Sequence, residues 1–108
     1  MNDLSKNIKI LNDFVKLDEE LAISKKLRIT MIKLITILDK QPEIFPIGNG
    51  GLQLEWGNVR GKYLEIDITA NHKMHIFRIL EDGSEIGGND NNLIDLDFNI
   101  IKQEVDLF

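Results

Sequence analysis

Apolar residues recur at helical spacing in the first half of the chain and alternate with polar ones in the second half. Leu4, Ile8, Leu11 and Val15 follow one another at intervals of four and three, with Phe14 and Leu17 widening the stripe. Lys6, Lys9, Asn12, Asp13 and Lys16 fall mainly on the other side. The spacing predicts a helix from about Asp3 to Glu20, with Asp18-Glu19-Glu20 at its turn or inside one bent helix. A second helix is expected to open at Ser24, a good N-cap residue, and to bury Leu27, Met31, Leu34, Ile35 and Leu38. Pro42 should end it, because the residue before a proline avoids the helical region. Its many β-branched residues lower its intrinsic propensity, so packing has to hold it. A Met and Leu stripe can also form a groove for a partner helix, but core packing explains the same pattern more simply.

Pro42 and Pro46 bracket a stretch that reads as a rigid connector, and Gly48-Asn49-Gly50-Gly51 reads as a turn. Leu52-Gln53-Leu54-Glu55-Trp56 and Leu64-Glu65-Ile66-Asp67-Ile68 then alternate cleanly, separated by the loop-like Gly57-Asn58-Val59-Arg60-Gly61. Pairing Gly57 with Gly61 sets Leu54 against Leu64, Leu52 against Ile66, and Trp56 against the stem of Lys62. On the reverse face, Glu55 meets Tyr63 and Gln53 meets Glu65. A tight turn at Asn71-His72 returns the chain as a strand from Lys73 to Leu80. With Ala70 opposite Lys73, Ile66 meets Phe77, Leu64 meets Ile79, and Glu65 forms a cross-strand ion pair with Arg78. Glu81 to Ser84 is a turn, Glu85 to Gly88 a short edge segment, and 87–92 a loop. The last segment fits both a strand (Ile94, Leu96, Phe98, Ile100) and a helix; a helix from Asp95 or Asp97 to Glu104 is favoured.

The expected fold is α+β. Two N-terminal helices pack on a three- to four-stranded antiparallel sheet, with a C-terminal helix. The 108 residues form one domain, with residues 1–41 helical and 42–108 carrying the sheet. The second face of the sheet is expected to carry Gln53, Glu55, Tyr63, Glu65, Asp67, Ile76 and Arg78. It is open to solvent, closed by the C-terminal helix, or used by a partner.

Composition narrows the function classes. Hydrophobic residues are 43% and charged residues 29%, as in a globular protein. The absence of cysteine removes disulfide scaffolds, Cys-ligated zinc, iron–sulfur clusters and thiol catalysis. No segment reads as a signal peptide, and the most apolar stretch, Leu27 to Leu38, is too short and polar to span a bilayer. A cytoplasmic protein that does not bind membranes is the simplest reading. The net charge of −5 argues against direct nucleic-acid binding, which needs basic residues to displace counterions. Charge is also uneven: residues 81–108 hold eight acidic groups against the single Lys102. Glu81, Asp82, Glu85, Asp90, Asp95 and Asp97 form a candidate acidic surface for a basic partner, though a solvated face would look the same.

The candidate chemistry is thin. Gly48-Asn49-Gly50-Gly51 precedes a strand and lacks the Walker spacing, so a tight turn outranks a phosphate cradle. His72 and His75 are the only histidines, and three residues apart on a strand they point to opposite faces, which suits no metal. Glu55, Glu65 and Asp67 share a sheet face, where paired carboxylates could do acid–base work or hold a divalent cation. Ser5, Ser24 and Ser84 sit in no nucleophile elbow. Trp56 alternates with Leu52 and Leu54, which favours a core role over an interface anchor. No catalytic residue, metal site or cofactor is assigned.

Pro46, Gly50-Gly51-Leu52-Gln53-Leu54-Glu55-Trp56 and Leu64-Glu65-Ile66-Asp67-Ile68 resemble a recurring pattern of small, mostly uncharacterised bacterial proteins. In those a helix precedes a proline, a Gly-Gly turn, a strand ending in Glu-Trp and a strand of Leu-Glu-Ile type. Their Trp-Asp-Gly motif is replaced here by Leu17-Asp18-Glu19-Glu20-Leu21. The resemblance covers about a quarter of the chain and implies an accessory or antidote partner of a larger protein. Three readings follow. The first is a non-enzymatic inhibitor, antidote or accessory protein that binds a basic surface of a toxin, defence or nucleic-acid enzyme, a reading motivated by the acidic C-terminal third and the lack of a nucleophile, thiol or metal cluster. The second is a small-ligand or divalent-metal module on the open face of the sheet. The third is a homodimer or larger homo-oligomer formed through a sheet edge or that face.

Overall fold

The computed structural model describes residues 3–57, 60–88 and 92–108. Among them the helices are α1 (Asp3–Phe14), α2 (Lys25–Thr36) and α3 (Phe98–Leu107). The strands are β1 (Glu43–Gly48), β2 (Gly51–Gly57), β3 (Tyr63–Ile68), β4 (Lys73–Ile79), β5 (Glu85–Ile86) and β6 (Ile94–Asp95). The sheet runs β1-β2-β3-β4-β5 with every described pairing antiparallel, and β6 also pairs with β4. The architecture is α+β, with more strands than the alternation alone implied. None of the described helices is long and apolar enough to cross a membrane.

Helix α1 stops at Phe14, short of the expected Glu20. Asp18, Glu19 and Glu20 would place negative charge at a helix C-terminus, where the macrodipole disfavours it. The chain instead turns at Asp18–Leu21, and the Ile23 N–H donates back to the Phe14 carbonyl at 3.3 Å. Helix α2 begins as expected: the Leu27 N–H donates to Ser24 Oγ at 3.0 Å. At its far end Gln41 Nε2 donates to the carbonyls of Ile35 (2.7 Å) and Leu38 (3.1 Å), adding a side-chain donor where the helix ends. Buried Asn7 on α1 donates to the Pro42 carbonyl at 2.9 Å and to Gln41 Oε1 at 3.1 Å. One amide thus ties α1 to the end of α2 and the start of the sheet.

The connector between the prolines is an edge strand. Proline lacks an N–H, so within sheets it is confined to edges and bulges, and β1 is the edge. The register shifts between Pro46 and Gly48, beside the Asn49-Gly50 turn, where φ is 53° and 76°. Two positive φ values suit a two-residue hairpin, and Asn-Gly adopts them readily.

Both expected registers need correction. In β2–β3 the pairs are Leu52↔Ile68, Leu54↔Ile66 and Trp56↔Leu64, a slide of two residues from the expected pairing. Such a slide keeps every side chain on its face, so alternation cannot detect it. It wins because it matches three buried apolar pairs instead of two. The expected closing loop at 57–61 includes residues 58–59, which lie outside those described.

The β3–β4 pairing is displaced by one residue, which exchanges the faces of β4. The connection is a three-residue turn, Ala70-Asn71-His72, with His72 at φ 60° and the Thr69 N–H donating to the Lys73 carbonyl at 2.9 Å. A third turn residue in the left-handed region is a known hairpin solution, here taken by histidine rather than glycine. Met74, Ile76 and Arg78 consequently face the helices, and His75, Phe77 and Ile79 face the other way. The expected Glu65–Arg78 pair does not form. Arg78 instead meets Glu104 of α3 at 2.9 Å, both side chains being largely buried.

The C-terminal segment uses both of its alternatives in turn. Ile94–Asp95 pairs with Lys73–Met74, then Asp97 caps α3 by accepting from the Asn99 and Ile100 N–H groups at 2.9 and 3.1 Å. Ile101 and Val105 of α3 enter the same core as Leu11, Leu27, Met31, Leu34, Leu54, Ile66 and Met74, all at 0% exposure. Each such aliphatic side chain contributes about 1.5–3 kcal/mol of burial. Exposed pairs such as Arg60–Glu81, at 75% and 57% exposure, contribute about 0–1 kcal/mol. The core therefore carries the fold, and all three helices lie on one face of the sheet.

Asn7→Ala, which leaves the Pro42 carbonyl and Gln41 without their donor, is expected to lower the unfolding free energy by about 1–3 kcal/mol in urea denaturation. A double-mutant cycle on Arg78 and Glu104 should give a coupling of about 1 kcal/mol or more, whereas the same cycle on Arg78 and Glu65 should give none. The reverse result would restore the register expected from alternation.

Candidate functional site

The face turned away from the helices is assembled in cross-strand rows. One row reads Glu43, Glu55, Glu65 and Phe77 across β1 to β4. The next reads Phe45, Gln53, Asp67 and His75. Beyond the glutamate row lie Tyr63, Ile79 and Glu85. Of the expected face residues, the structure brings Gln53, Glu55, Tyr63, Glu65 and Asp67 together here. Arg78 and Ile76 are on the opposite face, because the three-residue turn exchanges the faces of β4. Alternation missed Glu43, Phe45, His75 and Phe77. Recognising Pro46 as an edge-strand proline would have added the first two.

The centre of this face is short of hydrogen-bond donors. Gln53 Nε2 donates to Glu55 Oε1 and, at 3.2 Å, to Glu65 Oε1. The Tyr63 hydroxyl oxygen lies 2.9 Å from Glu55 Oε1 and 2.8 Å from Glu65 Oε1, although it carries one proton. Asp67 Oδ1 and, directly across the strand pair, His75 Nε2 are buried atoms without a hydrogen-bond partner. None of Glu43, Glu55, Glu65 and Asp67 makes an ion pair with a described lysine or arginine. Lys73, at the far end of β4, is paired with Asp95.

These surroundings alter two acids. Burial, then hydrogen bonding to Glu65 and Glu55 and their negative charge, pushes the Tyr63 hydroxyl far above its ordinary range. Burial, then the charge and hydrogen-bonding reach of Glu65, pushes Asp67 from its ordinary 3.8 up to about 6, against a lowering pull from His75.

The acidic residues of the last third have other tasks. Glu81 pairs with Arg60 at 3.7 Å. Asp82 accepts from the Ser84 N–H (2.9 Å) and hydroxyl (2.6 Å), which hold its carboxyl below the ordinary range. Asp95 pairs with Lys73, and Asp97 caps α3. Glu85 is exposed at the rim of the outer face. Asp90 lies outside the described residues. Of the expected acidic surface, Asp82 and Asp97 thus serve a local turn and a cap, and Glu81 and Asp95 pair with cations distant in the sequence.

The other candidates resolve simply. Trp56 is 4% exposed on the core face, and its Nε1 donates to the Lys40 carbonyl at 2.9 Å. Gly48 to Gly51 form the β1–β2 turn. His72 sits in the β3–β4 turn and His75 on the outer face. No group of three His, Cys, Asp or Glu residues suited to a metal ion occurs among the described residues. Compared with protein families, curated proteins and solved structures, the chain matches none.

The raised value for Asp67 has a defined consequence for stability. The folded protein holds this proton up to about pH 6, the unfolded chain only to about 3.8. Stability from this group is therefore full below 3.8, falls as pH rises between those values, and stays low above about 6. Asp67→Asn removes that dependence. After allowance for solvent screening, it is expected to raise stability by about 1 kcal/mol at pH 7.5 and leave it unchanged at pH 3.5. Urea midpoints of both proteins at the two pH values check this, and equal midpoints at pH 7.5 would refute it.

Proposed function

We propose that this protein is a non-enzymatic interaction module that docks a larger protein's basic surface on the outer face of its sheet, as an inhibitor, antidote or accessory subunit. The observation that carries this reading is the row Glu43, Glu55, Glu65. Three like charges face one another across three adjacent strands, with no described cation paired to them. Like charges directly opposite in a sheet are destabilising, and breaches of local rules concentrate where function requires them. Half-exposed Phe45 and the partly buried Phe77 and Ile79 flank the carboxylates and supply apolar contact area beside them.

This assignment moves the docking surface from the acidic C-terminal residues, most of which have partners of their own, to the sheet. The face also disfavours a second copy of itself, since stacking two acidic faces brings like charges together. Its edges give little room for strand addition. Pro46 removes a donor from β1, and Gly87 covers the middle of β4 closely enough that a Cβ there would lie 2.3 Å from the Ile76 carbonyl oxygen.

The test is capture of a partner from the native host at low salt, followed by affinity measurement with the purified partner. The triple variant Glu43→Gln, Glu55→Gln, Glu65→Gln is expected to bind about tenfold or more weakly, with stability unchanged or raised by about 1 kcal/mol. Binding by the unaltered protein should weaken as salt rises. Full affinity in the triple variant would exclude this face.

A further inference from the structure

We propose that the outer face holds one extra proton within the group Glu55, Glu65 and Asp67, seated on Asp67, and that its release switches the face to full negative charge. The proton count follows from the geometry. Gln53 Nε2 and the Tyr63 hydroxyl are the donors placed on these carboxylates by described side chains, and both are directed at Oε1 of Glu55 and Glu65. Tyr63 stands within 2.9 Å of two acceptors with one hydrogen to give. Asp67 Oδ1 receives no donor and is buried. An ionised Asp67 would be a partly buried charge beside Glu65 with an unsatisfied oxygen, which is costly. A protonated Asp67 supplies its own donor, and Glu65, two residues away on the same face of β3, is the neighbouring carboxylate.

The groups facing Asp67 set the balance. Glu65 on β3 and Glu55 on β2 favour the protonated form; Gln53, its cross-strand neighbour on β2, is spent on the glutamates. His75 on β4, directly opposite, favours ionisation. Lys73, one position along the same face of β4, is occupied by Asp95 of β6. Glu43 on β1 lies beyond Glu55 in its row. The helices pack on the other side of the sheet. The upward displacement of Asp67 to about 6 agrees with this arrangement and puts release close to neutral pH.

As a control on partner binding the switch rests on the docking reading given above; as a property of the free protein it does not. A cation placed on the face would favour loss of the proton, so binding and deprotonation reinforce each other. The first experiment is a carboxyl-detected NMR titration of the free protein. The Asp67 carboxyl is expected to titrate with a midpoint near 6. Glu65→Gln should move that midpoint down toward the ordinary value, and His75→Gln should move it up. Opposite movements in the two variants cannot come from general loss of structure. If either variant fails to fold, the unaltered protein still decides: a midpoint near 4 overturns the proposal.

The second experiment measures binding of an octa-arginine peptide at pH 5.0 and 7.5. The unaltered protein should bind severalfold more tightly at pH 7.5. Asp67→Asn should hold the weaker affinity with a much smaller pH response. Equal pH responses in the two proteins overturn the switch. Absence of binding at both pH values, with the Asp67 midpoint near 6, overturns the docking reading and upholds the proton.

Discussion

The turn Ala70-Asn71-His72 decides the chemistry of both faces of this protein. A two-residue turn would have set Phe77 and Ile79 in the core and Arg78 beside Glu65. Three residues, with His72 held at φ 60°, reverse that assignment. Side chains alternate with a period of two, so one inserted position inverts the whole of β4. The cost of a left-handed histidine is of order 1 kcal/mol, less than the burial of one side chain such as Met74 contributes.

On the helix side, the reversal creates a use for a charged residue. Arg78 emerges at the end of β4 under α3, where Glu104 meets it, so the pair gives α3 a polar anchor beside its apolar contacts at Ile101 and Val105. Asn7 has the parallel role toward the opposite edge of the sheet, where one buried amide joins α1, the end of α2 and the start of β1. In both places a polar group is buried only because a partner from a distant part of the chain meets it, which keeps the burial cost low. The helices are therefore located by apolar area and oriented by polar contacts such as these, to which Arg28 of α2 adds a hydrogen bond to Asn12 of α1 at 2.9 Å and Lys62 one to the Phe108 carbonyl at 3.1 Å.

On the open side, the same reversal leaves Glu43, Glu55, Glu65 and Asp67 without an ion pair to any described lysine or arginine, since Lys73, which it brings to this face, is paired with Asp95. Arg78, the one basic residue of β4 that alternation would have placed among them, is on the other face. What remains is a surface of glutamates in a row, one aspartate with an unsatisfied oxygen and one histidine, bordered by aromatic residues. A folded domain with no use for this surface would gain stability by placing a lysine among them. The proposed docking function and the proposed proton both answer the same imbalance, one by an external cation and the other by an internal hydrogen.

Much of this was legible from residues alone. Local signals determined the α+β class, the N-cap at Ser24, the turn at Asn49-Gly50, the alternation of β2 and β3, and the grouping of Gln53, Glu55, Tyr63, Glu65 and Asp67. These depend on spacing and turn chemistry within a few residues. The tertiary structure decided what spacing cannot. It chose between registers two residues apart, which alternation treats alike, and it set the phase of β4 through a turn whose left-handed residue is a histidine rather than a glycine. It made the Pro46 segment a strand, because only position at the sheet edge makes a proline tolerable there. It also paired Glu81, Asp95 and Glu104 with Arg60, Lys73 and Arg78, partners far away in the sequence. Composition counted those charges correctly, but only the fold placed the uncompensated ones on the sheet, because neutralisation depends on distances in space rather than on order along the chain.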